Sequence, residues 1–519
     1  MYPARIIRYG IFLLLILMSV MSARAQEDKK IQLLGANKLV GLQTDGQELQ
    51  ILVGDVKLKH ENTIFYCDSA LRNPGQNAFN AYENVHINVN DSLDIYSDSL
   101  HYDGNTKIAE LFGEVRLVDD QATLYTDYLI YNRNTRIGSY ITWGRIEDAD
   151  NELTSNIGYY YSRQKEFFFK DDVIVNTPDY MMYSDTLMYN TESEIAYIHG
   201  PTNIIGEKDS VYCEWGWYDT KKDIANLKIN VFIQHLEQSI EADTVYYDKD
   251  AGFGEAFNNI TITDTLQDAI VKGHYAHYLK SDSSAYVTDS AVAIFIDKRD
   301  SLFLHSDTLK VLFDSTDKAR FILAYNKVKF FRDDLQGASD SLAYDVKDST
   351  IRMYRQPVLW ADDNQLTADS IWLAIADNEL DSIAFFNNCF IISRDDSGKY
   401  NQIKGKNMVG YFKKNQLYKL VVTGNSETIY FVRDEETGGL MGVNKLIASD
   451  MLVFMEKREI TTISYLVMPQ ATMYPPGELA PQDLFLRDFD WKAYQRPRVK
   501  WEIFHWKKPA GEDKPSLEN

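Results

Sequence analysis

A short pattern returning every 29 or 30 residues constrains this chain more than any other feature: an acid recurs at positions 68, 98, 127, 185, 214 and 243. Around it the residues read SDSLHYD (97–103), TDYLIYN (126–132), SDTLMYN (184–190), CEWGWYD (213–219), ADTVYYD (242–248) and, beyond longer gaps, SDSLAYD (339–345). A second element lies between the copies: GDVKL (54–58), ENVHI (83–87), GEVRL (113–117), NKVKF (326–330) and QPVLW (356–360). A period of this size means one supersecondary unit repeated, each copy unable to bury its apolar face without its neighbours.

Both elements alternate with period two, the mark of half-buried strands. Asp98, Leu100 and Tyr102 are expected on one face, against Ser99 and His101 on the other. Val85, Ile87 and Val89 likewise oppose Asn84, His86 and Asn88. Polar turns such as DGNT (103–106) and NRNT (132–135) separate the strands, and Tyr, Val, Ile and Thr are abundant. The expected fold is all-β, an elongated stack of units of about 29 residues. Each acid is expected at a strand start, bonding nearby amides. A calcium site would need about six or more oxygens from Gly-rich turns, and no such pattern occurs, so neither metal nor cofactor is expected.

The 519 residues carry 54 Lys+Arg against 76 Asp+Glu, a net charge of -22, which repels a polyanion and excludes nucleic acid as a partner. Arg5 and Arg8, the apolar run 11–18 and the small residues Ala23 and Ala25 have the layout of a secretory signal peptide, so export is expected. The organisation follows as 1–25 leader, 26–470 β repeats in one or more modules, and 471–519 a Pro-rich break and basic, aromatic tail. Cys67, Cys213 and Cys389 are odd in number and widely spaced, and read as small buried side chains.

Repeated D-x-L-x-Y followed by G-x-V-x-L behind a leader resembles the OstA-like family, over most of 39–430. That family includes the periplasmic LptA-type protein and the periplasmic domain of the LptD-type translocon of lipopolysaccharide export. The resemblance implies a V-shaped β-jellyroll whose two sheets enclose an apolar groove along which lipid acyl chains slide. It implies a periplasmic bridge, outer-membrane association, and transport partners joined through terminal strands. This chain is about three times the length of the short bridge protein. Lipopolysaccharide or a related lipid is the implied ligand. A methylene exposed to water costs about 0.8 kcal/mol, so its acyl chains need cover. The lining is expected from Val85, Ile87, Leu100, Tyr102, Val115, Leu117, Leu129, Tyr131, Leu187 and Tyr189, for which ordinary core packing is the alternative.

No nucleophile elbow, zinc-protease or phosphate-loop motif occurs, so no enzyme activity is expected. A polysaccharide-active enzyme, a β-repeat scaffold or adhesin, and an outer-membrane barrel remain as other readings. The tail interleaves Arg487, Lys492, Arg496, Arg498, Lys500, Lys507 and Lys508 with Phe485, Phe489, Trp491, Tyr494, Trp501, Phe504 and Trp506. It is read either as a cap over the last sheet edge or as a contact to a membrane, lipid phosphate or partner.

Overall fold

The computed structural model describes residues 30–506 apart from 45, 90–92, 120–121, 149–150, 298–299, 317, 377–378, 396–397, 415, 435 and 457–458. The leader expected at 1–25 lies outside the described residues. The chain divides into two units, Met1–His235 and Leu236–Asn519. Both are built from antiparallel strands, and the described residues contain only short 3-10 turns besides them. No helix among them is long and apolar enough to cross a membrane.

In the first unit each long strand bends once. Ala78–Val89 and Leu93–Asp103 pair in two stretches, 78–82 with 99–103 and 85–89 with 93–97, and the register slips between them. Three steps on one strand face two on the other, a bulge that turns the chain. Glu83 and Asn84 at the slip are both left-handed, with φ of 65 and 48. The same left-handed pair falls at Gly54 and Asp55, Gly113 and Glu114, and Asp171 and Asp172. Gly, Asn and Asp tolerate this backbone best, which is why they head the second sequence element.

The stretches beyond each corner pair only with one another. Residues 85–89, 93–97, 115–118 and 123–126 form part of a front layer, and 78–82, 99–103, 108–112 and 128–132 part of a back layer. Every long strand therefore passes from one layer to the other.

The recurrent acid belongs to the corner rather than to a strand start, and this corrects the expectation. Asp68 Oδ2 accepts from Asn84 Nδ2 at 2.7 Å, and Glu214 Oε1 accepts from Asn230 Nδ2 at 2.8 Å, each bracing the second left-handed residue of the next strand. Asn156 stands at an acid position and reverses the polarity, donating to Asp172 Oδ2 at 3.1 Å. The corner also interrupts the two-residue alternation. Asp98 is exposed while Leu100 and Tyr102 are buried, so the three do not share a face as the pattern implied.

The residue before the acid is small and buried. Ser97, Thr126, Ser155 and Ser184 each donate to the carbonyl two residues on, at 3.0, 3.2, 3.0 and 3.2 Å, tying the two arms of the corner. Cys67 and Cys213 occupy the same place as free, buried thiols, which burial pushes up to about 12 and about 11. At the back-layer turns Asp103 and Asn132 accept from the backbone of Asn105 and Asn134 at 2.8 and 2.9 Å, closing Asx turns.

The second unit repeats the bent strands, with left-handed pairs at Asn258 and Asn259, Asn326 and Lys327, and Asn387 and Asn388. Its tail crosses the outer face of the front layer as a strap. Gln402 Nε2 donates to the Leu484 carbonyl while its Oε1 accepts from the Leu486 amide, both at 2.8 Å. Gln365 grips Asp490 and Lys492 in the same way, at 2.7 and 2.6 Å. Gln336 Oε1 accepts from Arg496 Nε at 2.7 Å, and Lys329 Nζ donates to the His505 carbonyl at 2.7 Å. Beneath the strap Phe390, Ile392, Ile429, Phe431 and Val443 pack with Leu486, Phe489 and Trp491. Neighbouring residues of opposite parity, Cys389 and Ile391, face the inner core. The strap thus covers a sheet face rather than the last edge, which corrects the expected edge cap.

Candidate functional site: the space between the layers

The inner side of the front layer in the first unit is one aliphatic row. Leu58, Phe65, Ile87, Ile95, Leu117 and Leu124 are successive cross-strand partners, and the row continues through Ile146, Leu153, Val175, Met182, Ile204 and Val211 to Ile233. The facing row of the back layer sets aromatic rings among small residues. It runs Phe79, Tyr102, Ala109, Tyr131, Gly138 and Tyr160, then Phe167, Tyr189, Ala196, Tyr218 and Ala225. Unequal volumes let rings from adjacent strands lie over small neighbours, the interdigitation that fills a core.

The expected lining residues take these inner positions. Val85, Ile87, Val115 and Leu117 come from the front layer, and Leu100, Tyr102, Leu129, Tyr131, Leu187 and Tyr189 from the back. All are buried except Tyr189, which is half-buried. In the first strands protein side chains occupy the gap. The Phe65 ring of the front layer lies 5.2 Å from Phe79 and 4.6 Å from Tyr102 of the back layer, centroid to centroid. A methyl group added to Gly138 would meet Leu117 at 3.3 Å and Leu129 at 3.7 Å, so the layers touch there.

The rim opposite the corners is laced in the same stretch. Lys107 Nζ, on a back turn, contacts Glu61 Oε1, on a front turn, at 2.7 Å. Its ammonium holds the Glu61 carboxyl below the usual range, principally through that hydrogen bond. Arg133 donates to the His60 carbonyl at 3.1 Å and to the Tyr102 hydroxyl, which lies 2.7 Å from His60 Nδ1. Burial pushes the Tyr102 phenol up to about 12 despite the opposing pull of Arg133. Two repeats further on, Lys165 Nζ contacts Asp119 Oδ1 at 2.6 Å.

Cover thins along the row. Exposure is 0% at Leu58, 7% at Ile146 and 9% at Leu153. Val175, Ile204, Val211 and Ile233 are half-buried, as are Tyr189 and Tyr218 across from them. Met182, the cross-strand partner of both Val175 and Ile204, stays buried at 2%, so the front wall loosens without a break only from Ile204 to Ile233, an apolar strip edged by phenols. The Tyr218 hydroxyl donates to Asp223 Oδ1 at 2.6 Å, and burial together with that carboxylate pushes the phenol upward. Tyr180 stands beside it on the front layer, its phenol raised to about 12 by burial.

Ile204, Val211, Tyr218 and Ile233 were not singled out by the sequence. The signal for Tyr218 was present, since it holds the Tyr position of CEWGWYD, whereas Ile204, Val211 and Ile233 fall in stretches that match neither motif.

This arrangement coincides with a family match. Residues 28–185 match the family model of OstA-like proteins. The stretch that matches OstA-like proteins takes in both rows as far as Met182 and both rim contacts. Among solved structures, the crystal structure of LptH, the LptA homologous periplasmic component of the conserved lipopolysaccharide transport device from Pseudomonas aeruginosa, is similar at 15% identity. That likeness covers 20% of this chain and 79% of LptH with a TM-score of 0.19. No curated protein matches.

Proposed function

We propose that this chain is a non-enzymatic, periplasmic lipid-binding component of lipopolysaccharide transport, which shields acyl chains between its two layers. The observation that carries the reading is the loosening of the front row at Ile204, Val211 and Ile233, beyond the buried Met182, and of the back row at Tyr189 and Tyr218. An alkyl chain laid there replaces water on both walls, and each methylene covered contributes about 0.8 kcal/mol. Headgroups stay in water at the phenol-edged rim, where Tyr presents an apolar body and a polar tip. The OstA-like match over 28–185 supports the same reading through the family resemblance. Transport partners join by pairing with terminal strands.

The test is photo-crosslinking in cells with benzoylphenylalanine in place of Tyr189 or Tyr218, and of Tyr66 on the outer face as control. Lipopolysaccharide adducts at the inner positions alone support the proposal. Inner positions that capture no lipid, together with lipid-free mass spectra of gently purified protein, would leave an inert scaffold.

A further inference from the structure

The strap ends in a feature that lipid carriage does not use. Between Lys492 and Trp506 the cations are Lys492, Arg496, Arg498 and Lys500 against the acid Glu502, so four charges less one leaves this segment positive by three in a chain of net charge -22. The 3-10 turn Lys500–Phe504 has two faces. Ile503 is buried beneath it, while Trp501 is 60% exposed, Phe504 41% and the following Trp506 37%.

These rings are held by the sheet below. Phe504 lies 4.5 Å from His305, ring to ring. Lys500 Nζ sits 5.2 Å over Phe303, and Lys329 Nζ 4.7 Å under Trp506 while donating to the His505 carbonyl. The backbone of Arg498 donates to Glu502 Oε2 at 2.6 Å, closing the turn. Phe504 and Trp506 are thus seated on the sheet while still partly exposed, and Trp501 is the most exposed of the three.

We propose that Trp501, Phe504 and Trp506, with Arg498 and Lys500 beside them, form a docking surface for an anionic lipid bilayer. Indole and phenyl rings flanked by long cationic side chains suit the boundary between headgroups and acyl chains, where the rings bury and the charges reach lipid phosphates. Charge complementarity selects an anionic surface. The acidic bulk of the chain does not prevent approach, because fields are screened beyond about 8 Å at physiological salt and the local positive segment dominates at contact. This surface lies on the outer side of the second unit's front layer, and the inference stands whether or not lipid occupies the space between the layers.

The test is co-sedimentation of the full mature chain with vesicles of phosphatidylethanolamine and phosphatidylglycerol, and with phosphatidylcholine vesicles. Binding to the phosphatidylglycerol vesicles, weakened by salt and absent from phosphatidylcholine, is expected. Trp501→Ala combined with Lys500→Glu should weaken it about tenfold or more. Strap proteolysis and the circular dichroism spectrum should be unchanged, since neither side chain makes a hydrogen bond to the sheet. A chain that ignores phosphatidylglycerol vesicles overturns the proposal, as does a correctly folded double variant that sediments like the parent. Binding of an acidic protein through these residues without vesicle binding overturns it too.

Discussion

The side-chain amide of Asn259 donates to both carboxylate oxygens of Asp243, at 3.1 and 3.0 Å, across the gap between two successive strands. Asn388 and Asp369 repeat the arrangement at 3.1 Å to each oxygen. Asn259 has φ 49 and Asn388 φ 50, so the acid of one strand braces the left-handed corner of the next. Asn259→Val removes the bond and forces a β-branched residue into that backbone. It should lower stability by about 1–3 kcal/mol, with Asn259→Gly losing only the bond. Urea midpoints give the comparison: equal midpoints of the two variants would remove the left-handed strain from the account, and a Gly variant as stable as the parent would remove the brace.

Gly113 offers a sharper version. Its φ is 74, and a methyl group there would overlap the Asp98 carboxylate. Gly113→Ala should destabilise by about 1–2 kcal/mol from the backbone alone, and more from the overlap. Asp98→Ser in the same chain should restore part of the loss, giving a coupling that independent sites would not show.

The contacts of Lys107 with Glu61 and of Lys165 with Asp119 hold the rim of the two layers together. Lys107→Ala should cost no more than about 1 kcal/mol, and Lys165→Ala more, because the Asp119 side chain it leaves is only 6% exposed. The two together should also raise the lipid retained per purified chain. Unchanged lipid content in a folded double variant would show that the rim does not restrain access.

Gln402 satisfies a carbonyl and an amide of the strap at once. Gln402→Met leaves both without that partner, a loss of about 1–3 kcal/mol for each group kept from water. The strap should then be cut faster by protease between residues 475 and 506 while the strands stay resistant. Removing the strap altogether should expose Phe390, Ile392, Ile429, Phe431 and Val443 and raise binding of a hydrophobic dye.

Acid should loosen the same strap. Burial holds His305 below its ordinary value, opposed by the Ala291 carbonyl at 2.7 Å and by Asp307, and assisted by Lys327 and Lys329. The folded value lies under the unfolded one, so the stabilising contribution is complete above about pH 6.5 and is lost as the pH falls below it. Protection of the amides in residues 500–506, corrected for the slower intrinsic exchange in acid, should fall between about pH 7 and pH 5, and His305→Asn should flatten that dependence. Exchange equally pH-sensitive in the variant would clear His305 of the effect.

Strand type and inner faces were legible in the residues, because Val85, Ile87, Val115 and Leu117 obey a two-residue period that burial enforces. The corner was not, since the period carries no mark of where a bulge shifts it. Asp98 counts onto the face of Leu100 by spacing alone, and only the register slip moves it outside. The left-handed pairs did leave a signal in the Gly, Asn and Asp residues at 54–55, 171–172, 258–259 and 387–388. The strap was hidden for a different reason. Its partners Gln336, Gln365 and Gln402 stand far upstream in sequence, and no local periodicity reports a contact at that range. The run Phe390, Ile391, Ile392 was the available hint, because a strand apolar on both faces must be covered on both.

The corners carry a mechanical consequence. Within the first unit the two layers are the two arms of the same bent chains, so they cannot slide past one another or part in parallel. Widening the gap has to be achieved by changing the angle at successive left-handed pairs, with the far rim swinging through the largest distance. Each rung is then a small hinged jaw, and the interior can be reached only from the side on which the jaws open.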